Sequence, residues 1–164
     1  MAGKSIFILF LSLFLLGEQQ QYFAQQATAE LKDLSRDADL IITGKVIQQT
    51  SSWNEDRTRI YTSATIQVGD YIKGANNGGS VVVTHLGGEV GDVGETYSHV
   101  PTFENNEEVL VFLKKDNTNS EYKVLYGEDG KIGLTNDTRT GEKVTNSKVP
   151  VSSLKAQIKN YIAE

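Results

Sequence analysis

From Asp39 onward the chain alternates between apolar and polar positions. In "DLIITGKVIQQT", Leu40, Ile42, Gly44 and Val46 fall on one side and Thr43 and Lys45 on the other. That period of two is the signature of a half-buried strand. A second strand is predicted over Ile60 to Ile72, with Ile60, Ala64, Ile66 and Val68 facing inward and β-branched residues favouring the extended state. "KGANNGGS" ends it with turn chemistry. "SVVVTHL" predicts a third strand and "ETYSHV" another. "EEVLVFLKK" and "SEYKVLYG" add two more around the polar turn "DNTN", and "EDGKIGL" reads as a turn entering a short strand.

The period changes at both ends. "ATAELKDLSRDADL" sets Leu31, Leu34 and Ala38 on one helical face, and "VPVSSLKAQIKNYIAE" does the same with Leu154, Ile158, Tyr161 and Ile162. This second helix is expected over about residues 151–163, with Ser152 or Ser153 as its N-cap. Short strands with frequent turns, and helices only at the ends, predict a mainly β fold. The expected architecture is an OB-like antiparallel barrel of five to six strands with short terminal helices. A sandwich is the rival. The length of the second strand, with Gly69 late in it, favours the barrel, because a strongly coiled strand needs a glycine or a bulge.

The first 29 residues are of another kind. Lys4 precedes an almost unbroken apolar run from Ile6 to Leu16, followed by the polar stretch Glu18 to Gln21 and then small residues. This is the layout of a secretory signal peptide, with cleavage after Ala29 or Ala24. The apolar run is too short to cross roughly 30 Å of hydrocarbon. The expected organisation is therefore a signal peptide over 1–29 and a single domain over 30–164. The expected location is secreted or periplasmic, with no membrane span once the signal is removed. The removed piece carries one Lys and one Glu, so the net charge stays at −5, which argues against nucleic acid as a partner. With no cysteine in the chain, disulfides, thiol nucleophiles and thiolate metal ligands are excluded.

The stretches "DADLIITGKV", "RIYTSATIQVGDYIKG", "VVVTHLGGEVG", "FENNEEVLVFL" and "GEDGKIGL" together resemble the netrin-like domains, which include the tissue inhibitors of metalloproteases. The shared features are the "AD-hydrophobic-GKV" first strand, a long second strand ending in "KG", and a later "DGK". The chain is also similar to small exported bacterial proteins with a "WNED…IYT…GGEVG" pattern. The resemblance spans roughly residues 37–134 and implies an OB-type barrel of five to six strands. Those inhibitors depend on disulfides and on an N-terminal cysteine that ligates the protease zinc. This chain has no cysteine, so that mechanism does not carry over.

"LGGEVGDVG", after His85, is the one segment whose composition suggests chemistry. A phosphate loop would need Lys and Ser or Thr after its last glycine, or a helix; Glu95 and a strand-like segment follow instead. Its glycines are read as supplying positive φ or a bulge in a wide connection. His85 and His99 flank the loop, so strand pairing could bring them together with Glu89 as a metal site. The alternative is that both are ordinary strand residues, and no metal or cofactor is expected. The adjacent carboxylate pairs Glu55/Asp56, Glu107/Glu108 and Glu128/Asp129 would point to opposite faces on a strand and make poor acid–base couples. Trp53, in the polar loop "TSSWNEDRTR", is either a binding anchor or a cover over a barrel end.

The expected function is that of an exported, non-catalytic binding module. It would recognise a protease or another extracellular or envelope protein through loops at one barrel end. The candidate residues are Trp53, Asn54, Glu55 and Arg57 on one loop, and His85, Gly87, Gly88, Glu89 and Asp92 on the other. The alternatives are a carbohydrate or small-ligand binder, which needs a groove with stacked aromatics, and a metal-dependent hydrolase, which needs converging ligands.

Overall fold

The computed structural model describes residues 30–75, 78–116 and 121–164. The segment expected to be a signal peptide lies outside these. The chain divides into two compact units, Met1–Asp33 and Leu34–Glu164, and the second carries all the strands.

Helix α1 (residues 30–37) leads into the strands β1 (Leu40–Trp53), β2 (Ile60–Lys73) and β3 (Ser80–Leu86). Two three-residue strands follow, β4 (Gly88–Val90) and β5 (Val93–Glu95), then β6 (Glu108–Lys115) and β7 (Tyr122–Val124). A 3-10 turn (Gly127–Gly130) precedes β8 (Lys131–Asn136), β9 (Lys143–Thr145) and helix α2 (Val151–Ala163).

Five strands close a barrel. Neighbours run β1-β2-β3-β7-β6, and β6 returns to β1 from Leu40↔Leu113 to Lys45↔Glu108. One pairing is parallel, β3 with β7 at Val83↔Tyr122, so the barrel is mixed rather than wholly antiparallel. β8 pairs with the first half of β6, and β9 with β8.

Closure requires β1 to bend, because it pairs with β2 from Ile41 to Trp53 and with β6 over only its first six residues. The ladder to β2 shifts register at Ile41/Ile42, Thr43/Gly44 and Val46/Gln48. At the middle shift a Cβ on Gly44 would lie 2.5 Å from the Gln67 carbonyl oxygen and 2.6 Å from Ile66 Cγ2. Gly69, the residue to which the sequence reading assigned the coiling, meets only Thr43 O at 3.6 Å, an ordinary contact. The bend belongs to β1, where Gly44 lets the backbone of β2 approach closely.

Leu40, Ile42, Val46, Ala64, Ile66, Val81, Val83, Val109, Val111 and Leu113 fill the interior, as the period-2 pattern requires. Ile41, Leu110 and Phe112 alternate to the outer face and are also fully buried. Strands covered on both faces read as continuous apolar runs, which accounts for "VLVFL". Helix α2 packs on β2 and β9 with Val151, Leu154 and Ile158 buried, and Lys155 Nζ donates to Asp70 Oδ2 at 2.9 Å. Its N-cap is Pro150 with no side-chain cap, not Ser152 or Ser153. The fixed φ of proline suits the entry to a helix without a capping hydroxyl. Lys73 Nζ donates to the carbonyls of Ser35 and Arg36, satisfying the C-terminal end of α1. Among the described residues no helix is long and apolar enough to cross a membrane.

Candidate functional site

The glycine segment is a miniature hairpin, not a wide connection. Gly88 pairs with Glu95, Glu89 with Gly94 and Val90 with Val93. Gly91 has φ 62 while Asp92 does not have positive φ, the pattern of a II′ turn. "ETYSHV" is not a strand beyond Glu95. Residues 96–107 are a loop, in which His99 takes φ 61.

A chain of hydroxyls fixes this hairpin to the barrel end. Thr62 Oγ1 donates to the Gly87 carbonyl at 2.7 Å, so the Ser51 hydroxyl, 2.8 Å away, donates to Thr62. Gly88, with φ 134, lies against both. On the other side of the hairpin base, Glu95 Oε2 accepts from Ile60 N–H at 3.0 Å and from the Tyr97 hydroxyl at 2.9 Å. The Ile60 N–H, then the Tyr97 hydroxyl, holds the Glu95 carboxyl below the usual carboxylate range. The same bond raises Tyr97.

Between the end of β3, this hairpin and the loop after it lies a cleft of about 350 Å³. His85 lies in its wall, on the inward face of β3 opposite Thr62. Its Nδ1 is 3.1 Å from the Leu86 carbonyl, which can only accept, so Nδ1 carries the proton and Nε2 presents a lone pair. Nε2 is buried without a hydrogen-bond partner. Burial is the main reason the imidazole is held below its ordinary pKa, and the Lys131 charge adds to it.

Phe103 is 5% exposed, packs into the barrel core, and lies 5.9 Å from the His85 ring. Lys131 on β8 fastens it. Its Nζ lies 5.0 Å from the Phe103 ring centroid, donates to the Thr102 carbonyl and pairs with Glu107 at 2.8 Å. The loop from Thr96 to Phe103 is thereby tied down at its far end and forms a fixed wall of the cleft.

Of the residues singled out in the sequence, His85, Gly87, Gly88 and Glu89 line the cleft. Asp92 is at the hairpin tip, away from it. Trp53 is the last residue of β1, paired with Ile60 and half-buried, not part of a loop. Asn54 organises the turn: its Oδ1 accepts from Thr58 N–H at 2.8 Å and Arg59 N–H at 3.0 Å. Glu55 and Arg57 are exposed at the tip. His99 does not join His85. Its carbonyl accepts from Glu128 N–H at 3.3 Å, and the strand expected to carry it toward β3 does not form. Among the described residues no three of His, Asp and Glu converge to hold a metal ion.

Sequence reasoning missed Ser51, Thr62, Glu95, Tyr97 and Phe103, all in the cleft wall. One signal was present: Thr62 is a polar residue at an inward position between Ile60 and Ala64. No protein-family model matches the chain, and neither does any curated protein.

Proposed function

We propose that this protein is an exported, non-catalytic binding module that recognises an extracellular or envelope protein at the cleft end of its barrel. One observation carries the reading: a cleft of about 350 Å³ stands preformed between elements that hydrogen bonds and an ion pair hold in place. Binding loops are commonly positioned in this way by a rigid scaffold. The hydroxyl protons of Ser51 and Thr62 and one oxygen of Glu95 are engaged in building the site. Ser51 and Thr62 bond to each other and to Gly87, while Glu95 bonds to Ile60 and Tyr97. Val93, 46% exposed on the hairpin beside the cleft, offers an apolar contact of the sort a protein partner covers. A carbohydrate groove would stack several aromatics, whereas here Tyr97 is half-buried and Phe103 is turned into the core. The netrin-like resemblance enters this proposal for the barrel alone.

The test is capture of partners from the native extracellular or envelope fraction, followed by amide hydrogen exchange on the complex. Protection is expected at residues 86–97. Protection confined to the far end of the barrel, or to α2, would refute the reading.

A further inference from the structure

We infer that the cleft takes a cationic hydrogen-bond donor, the ammonium or guanidinium of a lysine or arginine side chain on the partner protein. The inference rests on the binding-module reading and specifies what the cleft selects.

The first observation is charge. The cleft wall contains two carboxylates, Glu89 and Glu95, and no lysine or arginine. Neither carboxylate forms an ion pair among the described residues. Two cations stand outside the cleft wall: Lys131 pairs with Glu107 and donates to the Thr102 carbonyl, while Arg59, 6.0 Å from the Tyr97 ring centroid, adds its charge to the causes that lower Glu95 without forming an ion pair with it. Glu95 is held ionised by two donors on Oε2, and no bond engages its Oε1. Strand alternation puts Glu89 on the other face of the hairpin from Glu95, its side chain over Gly94, and both residues line the cleft.

The second observation is the direction of the hydrogen bonds. Thr62 spends its proton on Gly87 and Ser51 spends its proton on Thr62, which leaves Ser51 with lone pairs alone. His85, 9% exposed, has its proton on Nδ1 toward Leu86 and an unfilled lone pair on Nε2. Ser51 Oγ and Glu95 Oε1 thus accept and lack a donor, and the buried His85 ring behind them offers no proton. An anionic guest would meet like charge and add acceptors; an ammonium or guanidinium supplies charge and protons together. The Tyr97 ring in the same wall adds an aromatic surface suited to the alkyl stem or the cationic head.

The experiment is a titration of the 15N-labelled protein with Ac-Gly-Lys-Gly-NH2, Ac-Gly-Arg-Gly-NH2, Ac-Gly-Glu-Gly-NH2 and a methyl hexoside, followed by amide shifts. The expected result is that one or both basic peptides shift Thr62, His85, Gly88, Glu95 and Tyr97. That binding should weaken as salt rises from about 0.05 M to about 0.5 M. Glu89→Gln and Glu95→Gln should each weaken it by about two- to fivefold, the range of partly exposed ion pairs. In Glu95→Gln the side-chain amide oxygen can still accept from Ile60 N–H, so the fold is retained. The inference is overturned if the acidic peptide binds as well as the basic ones, or if the basic peptides leave these amides unmoved. Should the hexoside alone shift them, the protein-binding reading fails as well. If instead a captured protein partner is indifferent to both glutamine variants, the cation inference fails while the binding-module reading stands.

Discussion

A Cβ on Gly88 would lie 2.2 Å from Thr62 Oγ1 and 2.5 Å from Ser51 Oγ. The hairpin can therefore sit on the barrel end only where residue 88 has no side chain. Its φ of 134 adds backbone strain for any other residue. Gly88→Ala should cost about 3 kcal/mol from overlap and strain together, read as a lower midpoint in urea. Gly94→Ala is the control: its Cβ would meet Glu89 Cγ at an ordinary 3.5 Å, and its stability should be close to that of the wild type.

His85 makes stability pH-dependent. Its folded-state pKa lies below the ordinary value of 6.5 because burial disfavours the imidazolium. The unfolded chain therefore binds more protons in the window between the two pKa values, and stability falls as pH drops below about 6.5 toward the folded pKa. His85→Gln, neutral throughout, should flatten this part of the profile. Urea midpoints at about pH 7 and about pH 5.5 check it. An equal slope in both proteins would mean that His85 is not the group responsible.

The fold was legible where burial imposed a period. β2, β3 and β1 beyond Thr43 were visible because one face of each is wet, β6 and the start of β1 because both faces are covered, and α2 because Leu154 and Ile158 repeat at helical spacing. The site was less legible. β4 and β5 are three residues each, too short to alternate, and their pairing depends on φ values at Gly88 and Gly91 that composition alone does not specify. "ETYSHV" has strand-like residues but lacks a partner strand, so tertiary context overrode its propensity. β9, Lys143–Thr145, is an edge strand of the same short kind and left no pattern. Trp53 reads as a loop residue because Ser51 and Ser52 beside it are polar, yet a two-stranded ladder continues there without needing an apolar face.

Lys131 is the fastening of the cleft's far wall. Its ion pair with Glu107 is mostly buried, the side chains being 17% and 23% exposed. Lys131→Met should cost about 2 kcal/mol, between the values for exposed and buried pairs. Amide exchange at Thr102 and Phe103 should rise. The His85 pKa, followed by NMR, should move up, since the Lys131 charge is one of the causes that lower it. An unchanged His85 titration would show that the two residues are not coupled.

Trp53 packs at the end of the β1–β2 ladder, opposite the fully buried Ile60 and outside the cleft wall. Trp53→Ala should therefore lower stability by about 1.5 kcal/mol, in keeping with a half-buried aromatic. It should leave the affinity for basic peptides unchanged. A loss of binding with unchanged stability would place the recognition surface on the β1–β2 turn instead.

Filling the cleft tests its role in recognition without intermediaries. Gly94 lines the cleft, is exposed, lacks positive φ, and has room for a Cβ, so Gly94→Phe sets a ring beside the Glu89 side chain at the cleft without backbone strain. The measurement is the affinity of wild type and Gly94→Phe for the partner captured from the native fraction, at matched stability. Recognition at the cleft predicts a loss of about tenfold or more, as expected when a central contact pocket is blocked. Equal affinity in the two proteins would contradict it.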